Sequence, residues 1–229
     1  MKIAAVIPAR EGSKRIPNKC RLEINGELLI SKVIKNLEKT DLIDDIYVST
    51  DDNFLINSLG DSCKLLKRPK SLSDDYSTVI DVLKHHAKKE LIDYDYILQV
   101  FVHSICIDSA TYETAINNLI NSKKSFLISA SKLPVPVEWT LKIDKDSIVP
   151  VFEGKELMRS QDLGSSYYDS GQFYIYKQKW FSNDESMDYS QGDYLLIRAF
   201  QSLDLDEEED MDTLRVNYQI ALNTLKNLS

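Results

Sequence analysis

The first seventeen residues after the initiating dipeptide constrain this chain more than any other stretch. Ile3-Ala4-Ala5-Val6-Ile7 is an apolar run of strand length that stops at Pro8, and Ala9-Arg10-Glu11-Gly12-Ser13-Lys14-Arg15-Ile16-Pro17-Asn18-Lys19 follows at once. A buried strand therefore feeds a loop carrying Gly12 and the cations Arg10, Lys14, Arg15 and Lys19. Gly12 lets backbone N–H groups approach an anion closely, and fixed positive charge around such a nest suits a triphosphate. The same composition also describes a solvated basic loop. Neither G-x-x-x-x-G-K-[ST] nor G-x-G-x-x-G is present, so the loop is not a Walker A element or a dinucleotide fingerprint.

Downstream the pattern alternates. Leu29, Ile30, Val33, Ile34 and Leu37 recur at helical spacing, Asp45 to Thr50 reads as a second buried strand ending in Asp51 and Asp52, and Asn53 to Leu59 reads as a short helix with those acids as caps. A weak strand over 63–66, a polar loop over 68–75, a helix containing Ile80, Leu83, Ala87 and Leu91 capped by Ser73 or Asp74, and a strand over 96–102 continue the βα rhythm. Such alternation predicts an α/β domain with a mostly parallel sheet flanked by helices. Helix 108–121 and strand 126–131 follow. From Pro134-Val135-Pro136 the rhythm breaks, and 141–151 alternates like a hairpin, so a small β-rich appendage over about 134–172 is expected within a single domain spanning 1–229. The chain then returns through a strand at 173–176, a polar loop at 182–192, a strand at 195–200 and a final helix over 214–228.

A formal charge of -8 argues against general nucleic-acid binding and makes the basic loop a site for a small anion. Cys20, Cys63 and Cys106 are odd in number and widely spaced, which points to a reducing cytoplasm rather than to a disulfide framework or zinc site. No signal-peptide pattern or membrane-length apolar run occurs, so no membrane association is expected. Asp204 and Asp206 flank Leu205 in an extended acidic run. Alternation places both carboxylates on one side, where they could share Mg²⁺, although acid enrichment ahead of the last helix is an equally simple reading. His103 at a strand end reads as structural, and His85 and His86 as surface residues of a helix.

The opening segment resembles the [IV]-P-A-R-x-G-S-K-x-[IL]-P-x-K signature of the CMP-sugar synthetases, matched at Pro8, Ala9, Arg10, Gly12, Ser13, Lys14, Pro17 and Lys19. Arg68-Pro69-x-x-Leu72-Ser73-x-Asp75 resembles a second signature of that family, and Asp204-Leu205-Asp206 with Asp210 a third. The resemblance implies a Rossmann-like nucleotide-diphospho-sugar transferase fold with a dimerisation appendage and a homodimer. It implies cytidylyl transfer from CTP to the anomeric hydroxyl of a nonulosonic acid, with CTP held by Arg10, Gly12, Ser13, Lys14, Lys19, Arg68 and Ser73. Arg10 and Lys19 would act on the reacting phosphates, and Asp204 and Asp206 would hold Mg²⁺. Arg159-Ser160-Gln161-Asp162-Leu163 and Tyr168-Asp169-Ser170-Gly171-Gln172-Phe173-Tyr174 look like segments of the pseudaminic acid cytidylyltransferase subgroup. That likeness implies sugar recognition by Gln99, Arg159, Gln161, Asp169 and Gln172, with Arg159 toward the carboxylate.

Three positions depart from the pattern: Glu11 replaces a glycine, Cys20 replaces an asparagine, and Val102 to Ile107 replaces a T-x-P turn. Alternative readings are a sialic, legionaminic or ketodeoxyoctonic acid synthetase, or a non-catalytic nucleotide-binding protein of the same fold.

Overall fold

The computed structural model describes residues 1–74, 76–182 and 187–226. Asp75 of the second signature, residues 183–186 of the expected polar loop and the end of the last helix lie outside them.

Seven strands form one sheet: β1 (Ile3–Pro8), β4 (Asp45–Thr50), β5 (Lys64–Lys67), β6 (Tyr96–Val100), β7 (Phe126–Lys132), β10 (Tyr167–Lys177) and β11 (Gly192–Leu196). Their spatial order is β11-β7-β10-β6-β1-β4-β5. Every neighbouring pair is parallel except those of β10, which runs antiparallel to both β6 and β7. Two minor hairpins, β2 (Glu23–Ile24) with β3 (Glu27–Leu28) and β8 (Leu141–Asp144) with β9 (Ser147–Pro150), stand apart from it. The second of these is the hairpin expected in the 134–172 stretch. From Tyr167 that stretch is already paired with Lys132 in the main sheet.

β1 is buried along its whole length because helices cover both faces of the sheet, and successive side chains serve opposite cores. Ile3, Ala5 and Ile7 pack with helices α1 (Leu29–Glu38), α4 (Ser109–Asn121) and α5 (Asp210–Lys226). Ala4 and Val6 pack with Leu83 and Ala87 of α3 (Val79–Ala87) and with Phe126, Tyr176 and Phe181. A six-residue helix, α2 (Asn53–Ser58), links β4 to β5.

From β1 the chain moves outward through β4 and β5, then returns to place β6 on the other side of β1. In an open α/β sheet such a reversal opens a crevice beyond the carboxyl ends of the two strands, where their loops diverge. The Ala9–Lys19 loop and the residues after Val100 are those loops.

Local chemistry moved some elements from their expected places. α3 is capped by Thr78, whose side chain accepts from Asp81 N–H while Asp81 returns a bond to Thr78 N–H. Asp74 instead closes a turn by accepting from Tyr76 and Ser77 N–H groups. Leu91 falls beyond the helix yet is buried. His86, expected on the surface, is fully buried. Its Nε2 lies 2.9 Å from Ser49 Oγ and its Nδ1 3.0 Å from Glu90 Oε2, so both polar atoms are satisfied and burial costs little. The strand expected at 195–200 begins earlier, at Gly192, because Gly192 pairs with Phe126 so closely that a Cβ would meet the ring at 2.6 Å.

Candidate functional site

Arg10, Gly12, Ser13, Lys19 and Arg68 all line one cleft of about 440 Å³ at the carboxyl ends of β1 and β6. The loop is held from several sides. Ala9 N–H donates to Ser49 O, anchoring its start to β4, and Glu11 N–H donates to Asp51 Oδ1. Asp52 caps α2 through Phe54 N–H and takes two bonds from Arg21, at 2.8 and 2.9 Å. Burial would raise the Asp52 carboxyl, but Arg21 and the Phe54 amide outweigh it and hold the group below its ordinary range. Arg21 also reaches Glu11 Oε1 at 3.0 Å. The acidic residue that stands where the family pattern has glycine is thus paired with a cation of its own loop.

Asn18 adopts φ 55°, a left-handed conformation that asparagine tolerates, and turns the chain into the short helical turn Lys19–Arg21. That turn buries Cys20, whose thiol donates to Arg10 O at 3.3 Å. Burial pushes the thiol up to about 11, so Cys20 acts as a neutral clasp. The same turn aims Lys19 inward. Its Nζ sits 3.9 Å from Asp204 Oδ1 and 3.8 Å from Asp206 Oδ1, while Arg15 bonds Asp206 Oδ2 at 2.5 Å. Residues almost two hundred positions apart are therefore joined by charge. Leu205 between the acids is fully buried, which fixes their alternation, and Asp210 accepts from the Asp206 and Glu207 N–H groups.

Arg68 is buried at 6 % exposure, with a guanidinium N–H near Ser49 O at 3.4 Å. Among the described residues its Nε has no hydrogen-bond partner. Arg10 donates to Asp74 O at 2.6 Å, drawing the two signatures together. Two residues expected here stand aside: Lys14 is exposed on the loop, and the Ser73 hydroxyl turns back to Pro69 O at 3.1 Å. Tyr76, Ser77 and Thr78 form that wall of the cleft in its place, and the cue in the sequence was the T-x-x-D capping box, which starts α3 five residues later.

A second cleft, of about 540 Å³, is lined by Tyr168, Asp169, Gly171 and Asp204, and Asp204 stands 3.9 Å from Lys19 and 3.6 Å from His103 of the first. Asp169 accepts from Gly171 N–H and from the Tyr174 hydroxyl at 2.9 Å. Gln172 is buried and its amide donates to Ser170 O and Leu203 O, which ties β10 to the acidic run. Gln99 is buried in β6 opposite Tyr174. Arg159 and Gln161 are exposed in the appendage, with Arg159 paired to Asp162 at 2.8 Å, and neither lines the two clefts.

Between the clefts stands His103, at 3 % exposure, stacked on Phe101 with ring centroids 5.5 Å apart. Burial, then the Lys19 charge, push it down to about 3, and the nearby Gly171 backbone only partly opposes this.

Two carboxylates on a short acidic turn are hard oxygen donors of the kind that hold Mg²⁺ together with substrate phosphates. Among the described residues, one set of three possible donors lies within 4.8 Å of one another: His85, His86 and Glu90. His86 there is already bonded on both nitrogens.

Comparison with known proteins agrees with this geometry. A family model described as cytidylyltransferase matches residues 4–220. The chain is 28 % identical over 229 residues to a pseudaminic acid cytidylyltransferase of Campylobacter jejuni, covering 96 % of this chain and 97 % of the relative. It is 27 % identical to an N-acylneuraminate cytidylyltransferase of Streptococcus agalactiae over 92 % of this chain and 52 % of the relative. Among solved structures, a CMP:2-keto-3-deoxy-manno-octonic acid synthetase complexed with CTP superposes with a TM-score of 0.69 at 16 % identity, covering 94 % of this chain and 98 % of that one, and so supports the fold. With its signatures converging on one cleft and the family match spanning nearly its whole length, the chain belongs to the cytidylyltransferase family.

Proposed function

We propose that this protein transfers CMP from CTP to the anomeric hydroxyl of a nonulosonic acid, with pseudaminic acid as the acceptor, releasing pyrophosphate. The observation that carries the reading is the meeting of Lys19, from the basic loop, with Asp204 and Asp206 at the border of two clefts. The choice of acceptor rests on the relative of that name, which matches along almost its full length.

In this reading the triphosphate lies along Arg10, Gly12, Ser13 and Lys19, with Lys14 and Ser73 contributing from the loop margins and Arg68 below the nucleotide. Asp204 and Asp206 would hold Mg²⁺, which would supply charge neutralisation for the phosphates. The anomeric hydroxyl loses its proton to solvent and its oxygen forms a bond to the α-phosphorus as the bond to the bridging oxygen of pyrophosphate breaks. The chain's part is positioning and electrostatics. Lys19, pre-set near both acids, opposes negative charge growing on the α-phosphate, and Arg10 takes the leaving pyrophosphate. Asp169 borders the acceptor cleft. Gln172, through its bond to Leu203 O, keeps the acids against that cleft, and Gln99 would act from beside Tyr174, whose hydroxyl bonds Asp169.

Arg159 and Gln161 lie away from both clefts, on the stretch carrying the β8–β9 hairpin, whose Ile143 and Ile148 are exposed at 77 % and 68 %. A homodimer in which the hairpin packs on a second subunit would cover these apolar groups and bring Arg159 and Gln161 to an acceptor site. The protein would work in the cytoplasm. No helix among the described residues is long and apolar enough to cross a membrane.

The test is pyrophosphate release from CTP and Mg²⁺, with pseudaminic, legionaminic, N-acetylneuraminic and ketodeoxyoctonic acids offered separately. Release with pseudaminic acid alone is expected. Release with another acid keeps the chemistry and replaces the acceptor, and CTP binding without turnover returns the protein to a nucleotide-binding role.

A further inference from the structure

His103 is a buried side chain whose ring nitrogens make no well-formed hydrogen bond among the described residues, with the Gly171 backbone and Asp204 close by. Among the described residues neither Nδ1 nor Nε2 has a partner at hydrogen-bond geometry, and the ring is 3 % exposed. A neutral imidazole carries one donor and one acceptor, and leaving both unsatisfied in a protein interior costs free energy that a structural histidine would not incur. His86, in the same molecule, makes the contrast: it is equally buried, and both its nitrogens are engaged.

The surroundings say where a partner would stand. Phe101 covers one face of the ring, so no ligand enters there. Nε2 points toward Asp204 Oδ1 at 3.6 Å, beyond hydrogen-bond distance. His103 lines the cleft shared with Arg10 and Lys19, and Asp204 beside it lines the adjoining cleft with Tyr168 and Asp169. The ring thus occupies the passage between the phosphate-binding cations and the acidic, tyrosine-lined side. A phosphate at this point already has Lys19 and Arg15 nearby. A hydroxyl group, which both donates and accepts, is the ligand chemistry that can satisfy a neutral imidazole without adding charge beside Asp204.

We infer that His103 is a contact residue for the acceptor, hydrogen-bonding a hydroxyl of the polyhydroxylated sugar acid at the junction of the two clefts. This rests on the proposed cytidylyl transfer to such an acid. It also gives a use to the stretch Val102–Ile107, where this chain leaves the family pattern.

The experiment compares the wild-type chain with His103→Leu and His103→Gln, using CTP and pseudaminic acid as probes. For His103→Leu, the KM for pseudaminic acid should rise about tenfold or more, while calorimetric CTP affinity stays within about twofold. His103→Gln, which keeps a donor and an acceptor, should recover part of that loss. Thermal stability of His103→Leu should be unchanged or higher, because an unsatisfied polar group has been replaced by an apolar one of similar size. An unchanged acceptor KM, a loss confined to CTP affinity, or a marked fall in melting temperature would each overturn the inference and leave His103 as a nucleotide contact or a structural residue. Wild-type protein that neither binds nor turns over pseudaminic acid sinks the functional reading itself, and this inference with it.

Discussion

The two ends of the site are built to different standards. At the nucleotide end, Ser49 O, Asp51, Asp52, Arg21 and Asp74 O lock the basic loop to strands and helix caps, and Asp52 is 1 % exposed. At the proposed acceptor end, Arg159 pairs among the described residues with Asp162 three residues away, and the hairpin presents Ile143 and Ile148 to solvent. A triphosphate is the same in every reaction of this kind, so its cradle can be rigid and complete in one chain. The acceptor varies between relatives, and the part of the chain that would meet it is exposed and held by local contacts.

That contrast can be broken at its strongest point first. Asp206→Ala should lower turnover by about two orders of magnitude or more, roughly 2.7 kcal/mol of transition-state stabilisation, when pyrophosphate release is followed at saturating CTP. A near-normal rate would remove Asp206 from the chemistry. Asp52→Ala strips the cap from α2 and leaves Arg21 without its bidentate partner, so urea unfolding should show a loss of about 2 kcal/mol together with weaker CTP binding. Loss of stability with CTP affinity intact would show that the loop is not held from this side. Arg159→Ala tests the other end: stability should change by less than about 0.5 kcal/mol, since exposed ion pairs contribute little, while acceptor KM rises roughly tenfold, about 1.4 kcal/mol. An unchanged acceptor KM would leave Arg159 a surface residue.

The smallest effect concerns acid. Burial lowers the His86 value below the ordinary 6.5, with Glu90 opposing it and His85 and Arg68 adding to it. The unfolded chain therefore takes up a proton first as pH falls, and the stability contributed by neutral His86 is fully present above pH 6.5 and declines below it. The gap in unfolding free energy between wild type and His86→Gln should be widest near pH 7 to 8 and narrow as the pH falls below 6.5. A gap that widens with acid would mean that His86 is charged in the fold.

Much of the nucleotide end was legible because its determinants are local in sequence. The strand, the proline stop and the basic loop are contiguous, and Asp204-Leu205-Asp206 needs only the period-two rule to put its acids on one side. Their meeting with Lys19 was not readable by periodicity, since sheet order sets it; the family likeness supplied it. His103 and His86 show the limit most clearly. One reads as a strand-end residue and the other as a helix-surface residue, and only tertiary packing, of α3 on β4 for His86 and of the segment after β6 beside Asp204 for His103, reveals that His86 is buried with partners and His103 without well-formed ones. α3 begins later than the cap-like side chains of Ser73 and Asp74 suggest, because the capping box is at Thr78.

The long strand β10 has a further consequence. Its register against β7 shifts between Asp169 and Tyr174, where Gly171 takes φ 62° and the Ser129 hydroxyl accepts from Gln172 and Phe173 N–H groups and from the Ser170 hydroxyl. A strand with such a slack point can gain or lose residues on its hairpin side while Gln172, within the shift and bonded to Ser129, keeps its grip on Leu203 O. Evolution could thus exchange the stretch between Leu133 and Ser166 for one suited to another sugar without resetting the acids, as a tool changes its bit while the chuck stays closed.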